Sequence, residues 1–385
     1  MKIGIITCFD LKNVNFGNRL QTYALNAYLN NIFEDVSAET LYFQDFKDFK
    51  RTKKEPLYKR VSRKVRRDFL YKKKNQLPTL LENRLRRFNA FSIKNTKLID
   101  HPLEKEELFN LDYDLFLVGS DVVWYQWDYG IRPIKLLDFE TFKHVPKVSY
   151  AASFGNDYIP SENRKELIRC FKSYHKISVR EQSSVKLMAN LGRVDAVHVM
   201  DPTLLLSSQE WTRLEKSVDI SEISEQKYIF VYLLSTEKKD RENIERLAQK
   251  KNLKILTVPY ASGTLNSSDV DFGDYQLTDC SPEEWLWLIH HAAFVITDSF
   301  HGVAFSVNYH TPFIVTTRKE KFEMTNRLKD FLQTISQEDK FVDLSQLTDL
   351  NVLNWNFDNI GQRLLPKIEF SKHYLKSIVK QFSNT

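Results

Sequence analysis

The chain of 385 residues has only three cysteines, Cys8, Cys170 and Cys280. They are scattered and odd in number, which argues against a disulfide framework or a cysteine-based zinc site and for a reducing compartment. No apolar run approaches the length needed to cross a bilayer. The apolar start, 1–8, is ended by Asp10 and Lys12, too early for a signal peptide, so a cytoplasmic protein is expected. A G-x-G-x-x-G fingerprint is missing after the first strand-like run, so no dinucleotide cofactor is expected. No His/Cys/Asp cluster has metal-ligand spacing. His290 and His291 are adjacent and should point to different faces of a helix, so no metal is expected either. Internal repeats and low-complexity segments are lacking. No stacking-aromatic motif or recognition module accompanies the basic charge, which argues against nucleic acid as a partner.

What is present suits a folded, soluble protein of two ordinary domains: 42% hydrophobic, 13% aromatic and 28% charged residues. The formal charge of +6 is local. Segment 51–74 holds twelve Lys/Arg against Glu55 and Asp68, so the rest of the chain is net negative. Leu57, Val61, Val65 and Phe69-Leu70 recur there at helical spacing, which predicts an amphipathic basic helix. A solvated helix face is the plain reading. The sharper one is a patch for anionic lipid headgroups or a lipid-linked diphosphate, placing the protein peripherally at the inner face of a membrane.

The stretch 294–306 organises the rest. Phe294-Val295-Ile296 has strand length and β-branched content, and Thr297-Asp298-Ser299 are residues that cap helix N-termini. Small and apolar residues then follow a helical pattern through Val307. The N–H groups of such a first turn attract an anion, and His301 adds a proton donor. Gly302 permits close approach of a backbone or ligand. A βα unit whose His only packs or caps is the alternative.

Similar units precede it. A buried strand at 2–8 leads to a helix starting near Gly17-Asn18. A strand at 113–118 ends in the turn Gly119-Ser120-Asp121, followed by an aromatic cluster that includes Trp124. That cluster suits a sugar face at strand carboxyl ends, or else plugs the sheet edge. Strand 176–179 runs into Arg180, well placed for a phosphate or carboxylate; an ion pair with Glu181 or Asp201 is the alternative. A polar stretch after Leu206 marks the domain boundary, and α/β alternation restarts at Tyr228. Ser281-Pro282-Glu283-Glu284 opens another helix. The expected fold is α/β, with two Rossmann-like domains facing across a cleft and a C-terminal helix. The expected division is 1–205, with a basic helical insert at about 51–95, and 206–385, including the terminal helices.

Several of these pieces, taken in order, resemble the polysaccharide pyruvyl transferase family. They are Gly17-Asn18-Arg19-Leu20-Gln21, Val118-Gly119-Ser120-Asp121-Val122-Val123-Trp124, Ser149-Tyr150-Ala151-Ala152-Ser153-Phe154-Gly155, Ile177-Ser178-Val179-Arg180-Glu181, Asp201-Pro202-Thr203, Asp298-Ser299-Phe300-His301-Gly302 and Asn326-Arg327. Each motif is weak alone, and the ordered set is fairly specific. The basic insert and the last fifty residues match nothing in the family pattern. The resemblance implies a GT-B-like fold and transfer of the pyruvyl group of phosphoenolpyruvate onto two hydroxyls of a sugar in a polysaccharide, such as a capsule or exopolysaccharide, or in a lipid-linked precursor. The product is a cyclic ketal, with phosphoenolpyruvate as co-substrate and no cofactor. It implies His301 as the catalytic residue and Arg180, Ser299, Phe300, Gly302, Asn326 and Arg327 on the donor side. Many members carry Arg two residues before the His, where this chain has Ser299. A second cation must then come from Arg327 or Arg318, or be replaced by helix amides. The acceptor is expected on the first half, between Gly17, Asn18 and Gln21 and Ser120, Asp121 and Trp124. Two other functions remain open: a GT-B glycosyltransferase using a nucleotide sugar, and a non-catalytic carbohydrate-binding protein of a glycan assembly complex.

Overall fold

A computed structural model describes residues 1–43, 50–52, 78–125, 130–220, 228–260, 266–318, 324–347 and 354–383. The basic run 51–74 lies almost wholly outside them. In the first half, β1 (Lys2–Ile6), α1 (Phe16–Ile32), β2 (Ser37–Leu41), α2 (Pro78–Asn95), β3 (Leu115–Val118) and β4 (Lys147–Ser149) follow one another. Then come α3 (Ser161–Phe171), β5 (Ser178–Val179), α4 (Gln182–Asn190) and β6 (Val197–His198). Four strands form a parallel sheet in the order β2-β1-β3-β4. The parallel pair β5-β6 joins β4 through the bridges Val148–Lys176 and Ala152–Val179. Every residue of β3 is buried. A parallel strand is covered on both faces, which is why its sequence is an unbroken apolar run.

The second half runs α5 (Ser208–Thr212), β7 (Tyr228–Tyr232), α6 (Lys238–Lys251), β8 (Lys254–Thr257), β9 (Tyr275–Gln276) and α7 (Pro282–His290). It continues with β10 (Phe294–Thr297), α8 (Phe300–Tyr309), β11 (Phe313–Val315), α9 (Asn326–Thr334) and α10 (Phe357–Ser383). Its sheet is parallel, in the order β9-β8-β7-β10-β11. Helix α7 starts as the sequence predicts, with a Ser281/Glu284 capping box and Pro282 in the first turn. The architecture is GT-B-like: two Rossmann-like domains facing across a cleft, with a C-terminal helix.

The halves share an apolar core. Phe16 of α1 stacks on Trp285 of α7 at 5.2 Å, and Tyr23 of α1 meets Trp211 edge-on at 5.5 Å. Helix α2 acts as a strut. Near its C-terminal end, Ser92 and Asn89 hold Arg19 of α1. Arg84 donates to the carbonyls of Thr278, Pro259 and Leu277, and Arg87 pairs with Glu284. An interface this apolar and this densely bonded holds the two domains in one arrangement. Helix α10, placed by the sequence with the second half, spans both. Ile360 and Leu364 join the shared core, whereas Leu375, Ile378, Val379 and Phe382 pack with Ile3 and Ile5 of the first sheet.

His290 and His291 do not diverge as helical neighbours would. Helix α7 ends at His290, and His291 is its C-cap at φ −96°, ψ 1°. The two rings lie 4.7 Å apart. No described helix is long and apolar enough to cross a membrane.

Candidate active site where the two sheets face each other

In each sheet the strand order reverses beside its first strand, between β1 and β3 and between β7 and β10. Ligands of open parallel sheets bind at such points, outside the carboxyl ends of the strands. Here the two points face each other. A cavity of about 710 Å³ lies between them, bordered by the loops after β1 (Lys12), β3 (Asp121), β7 (Leu234) and β10 (Ser299).

His301 enters from the first turn of α8. Ser299 is the N-cap, its side chain accepting from the Gly302 N–H at 3.4 Å. Asp298 ties the turn to the neighbouring strand by accepting from the backbone N–H groups of Leu234 and Ser235, both at 2.7 Å. Burial pushes the Asp298 carboxyl up to about 6 against those two amides. Gly302 packs on Thr297, where a Cβ would lie 2.7 Å from Oγ1, and so serves the strand–helix contact. His301 is 5% exposed and lines the cavity, and its Nε2 has no hydrogen-bond partner among the described residues. The imidazole meets the first half on two sides. Its Nε2 lies 3.6 Å from Asp201 Oδ2. Its Nδ1 lies against Gly17, where a Cβ would come within 2.0 Å. Residue 17 is therefore glycine because the His301 ring of the other domain occupies the space of a side chain.

Beneath this ring lies a buried charge network. Asp201 Oδ2 accepts from Ser120 Oγ (3.0 Å) and Arg180 Nη1 (3.1 Å), and Oδ1 accepts from the Thr203 N–H (3.0 Å). Burial alone would raise the Asp201 pKa. His301, Arg180 and the Thr203 amide outweigh it and hold the carboxyl below its ordinary range. Arg180 donates from Nε to Glu181 at 2.9 Å and lies 3.6 Å from Asp121, with its guanidinium 4.1 Å from the Phe300 ring centre. Its side chain is 1% exposed and does not border the cavity. The alternative reading of Arg180, as an ion-pair partner of Glu181 and Asp201, is the arrangement the structure displays.

The wall of the cavity is basic. Lys12, Arg132, Lys135, Arg318 and Arg327 face Asp10 and Asp121. Arg318 and Arg327 each bury an Nε–H that has no acceptor among the described residues. Burial first, and the charge of Arg180 second, bring Arg327 down to about 10, so it is still a cation at neutral pH. The Lys135 ammonium donates to the Thr7 carbonyl. Cys8 also borders the cavity, but burial and the nearby Asp121 push its thiol up to about 12, which removes it as a nucleophile.

The predicted site residues divide accordingly. Asn18, Asp121, Ser299, Phe300, His301 and Arg327 border the cavity; Asn326 and Gly302 do not. Asn18 Nδ2 donates to Asp121, which adopts a left-handed backbone at φ 68°. Three expected acceptor contacts are internal instead. Trp124 is 1% exposed, packs on Phe154 and Phe171, and donates to the Lys135 carbonyl, so it plugs the sheet edge rather than carrying a sugar. Gln21 braces α1 against β1 through Thr7, and Ser120 holds Asp201. Sequence reasoning did not find Arg132 or Lys135. Lys135 lies in a one-turn 3-10 helix, Pro133–Leu136, and Arg132 is its N-cap, an element too short for periodicity to mark a side chain as facing inward.

The polysaccharide pyruvyl transferase family model matches residues 15–320. The match includes Gly17, Asp121, Arg180, Asp201, His301 and Arg318, and Arg327 lies just beyond it. A search of curated proteins finds no match. Among solved structures, UDP-GlcNAc 2-epimerase from Neisseria meningitidis, bound to UDP-GlcNAc, superposes with a TM-score of 0.50 at 11% identity. The alignment covers 99% of this chain and 100% of that one. MnaA of S. aureus in complex with UDP also gives 0.50 at 11% identity, over 97% and 90% of the two chains. These are GT-B-type enzymes, and at such identity the likeness concerns the fold.

Proposed function

Because the chain belongs to the polysaccharide pyruvyl transferase family, we propose that the cavity binds phosphoenolpyruvate and transfers its pyruvyl group to two hydroxyls of a sugar. One observation carries this reading: the two unpaired guanidinium N–H groups of Arg318 and Arg327 share a cavity with His301. Phosphoenolpyruvate carries a phosphate and a carboxylate, and planar guanidinium groups pair with both. Arg318 and Arg327 then take the part of the family Arg that Ser299 replaces, and the first-turn amides of α8 add to them.

The chemistry needs no redox partner. A sugar hydroxyl adds to C2 of the enol while a proton is delivered to C3, and the hydroxyl proton leaves to a base or water. The second hydroxyl then forms its bond to C2 as the C2–O bond to phosphate breaks, its proton passing to the departing phosphate or to water, which closes the ketal and releases inorganic phosphate. Imidazole exchanges protons near neutral pH, and His301 is the imidazole in the cavity. Asp201 holds that ring from the other domain. The acceptor enters past Asn18 and Asp121, since the expected aromatic platform at Trp124 is buried. A lipid-linked acceptor would bring the protein to a membrane surface, where the basic run 51–74 would favour anionic headgroups.

The test is phosphate release from phosphoenolpyruvate across a panel of glycan acceptors, with nucleotide sugars as the comparison donor. Release of nucleoside diphosphate in place of inorganic phosphate would favour a glycosyltransferase. Arg318→Ala and Arg327→Ala should each raise the KM for phosphoenolpyruvate about 10-fold or more, as expected for loss of a charge-assisted hydrogen bond, with a smaller change in kcat. An unchanged KM in both would place the donor elsewhere. Gly17→Ala should leave the far-ultraviolet circular dichroism unaltered. Turnover should fall about 10²-fold, because His301 must move by an ångström or more to admit the methyl group. Full turnover in Gly17→Ala would separate residue 17 from the chemistry.

A further inference from the structure

A second cluster of chemically able side chains lies at the other end of α8 from His301. Glu215, from the connector after α5, meets His290 and His291 at the end of α7, with one ligand atom of each within 4.8 Å of the others. His290 Nδ1 is 2.9 Å from a Glu215 carboxylate oxygen. His291 Nδ1 is 3.0 Å from the Trp287 carbonyl. A carbonyl only accepts, so Nδ1 of His291 carries the proton and its Nε2 keeps a free lone pair. Metal-binding imidazoles are usually oriented by such a hydrogen bond. Stacking fixes both rings: Trp287 on His291 at 4.4 Å, and Tyr309 on His290 at 4.4 Å with an angle of 9°.

Tyr309 is 8% exposed and turns its buried hydroxyl toward the Glu215 carboxylate. His290 and Tyr309 also border a surface cavity of about 500 Å³, which gives an ion a way in and room for a water as fourth ligand.

We propose that Glu215, His290 and His291 form a site for a divalent first-row transition ion of the zinc class, which ties the interdomain connector to α7. Two imidazoles and one carboxylate are a donor set for Zn²⁺ and unsuited to Mg²⁺ or Ca²⁺. Tetrahedral coordination with bonds of about 2.0–2.1 Å sets donors roughly 3.3 Å apart, so side-chain torsions must draw the three together by an ångström or so. The ion takes the place of the proton between His290 Nδ1 and Glu215, which moves to Nε2 of the same ring or to solvent. Helix α8 separates this site from the cavity, since His301 and Tyr309 stand eight residues apart, a length of about 12 Å. The ion therefore has a structural role.

The test uses the full chain, stripped with chelator and titrated with Zn²⁺ by calorimetry and with Co²⁺ by visible absorption. The parent should bind one equivalent, show the bands of tetrahedral Co²⁺, and melt at a higher temperature as Zn²⁺ is added. Glu215→Gln keeps a hydrogen-bond acceptor for His290 and should fold; it and His291→Ala should lose about 10-fold or more in Zn²⁺ affinity. His301→Ala should bind as the parent does. A parent with no saturable equivalent, or Glu215→Gln and His291→Ala variants that bind as tightly as the parent, would overturn the proposal and leave an ordinary Glu215–His290 ion pair.

Discussion

Replacing His301 with alanine should lower kcat by about 10²–10⁴-fold, the usual worth of a positioned general acid, with a smaller change in the KM for phosphoenolpyruvate. The expectation follows from two separate sets of contacts. Arg318 and Arg327 carry the unpaired guanidinium N–H groups that the proposed donor would meet. The imidazole is instead placed by Asp201 on one side and by the absence of a side chain at Gly17 on the other. Removing the ring should therefore spare ground-state binding and cost the proton transfer. A variant that retains full turnover at saturating donor and acceptor would remove His301 from the chemistry. One that loses donor binding and turnover equally would make it a phosphate ligand.

Arg180→Met should destabilise the protein by about 3–5 kcal/mol, because it leaves Glu181, Asp201 and Asp121 buried around a lost cation. The deficit should depend on pH in a defined direction. In the parent, Asp201 is held below its ordinary range, so its contribution to stability is present above that range and disappears as the pH falls through the folded value. In Arg180→Met the same carboxylates can take up protons. The difference in melting temperature between parent and variant should thus be largest near neutral pH and shrink in acid. Arg180→Lys should recover part of the loss, since an ammonium restores the charge but not the planar fork that reaches Glu181 and Asp201 together. An Arg180→Met protein of parental stability whose only defect is a raised KM for phosphoenolpyruvate would make Arg180 a donor ligand after all.

The alternation of strands and helices, the helix start at Ser281 and the strand–cap–helix unit at 294–306 were legible in the sequence. So was the family, from motifs spread over most of the chain. These signals are local: a strand covered on both faces must be an apolar run, and a helix N-terminus needs an acceptor such as Ser299 within a residue or two of its first turn. Which of the motif residues reach the ligand was not legible. Trp124, Ser120 and Arg180 stand just past strand ends and Gln21 early in a helix, as binding residues would. Segments distant in the chain close over them, and they became core, brace and counter-ion. Arg318 had been one of several candidates until the second sheet placed its unpaired N–H in the cavity, and Arg132 and Lys135 carried no local signal at all. Local sequence determined the backbone path because capping and periodicity act over a few residues. Only the tertiary structure decided which groups of that path stay open to a ligand. Exposure depends on what packs against a side chain, and here the packing groups, such as His301 on Gly17 and Asp201 on His301, come from the opposite domain.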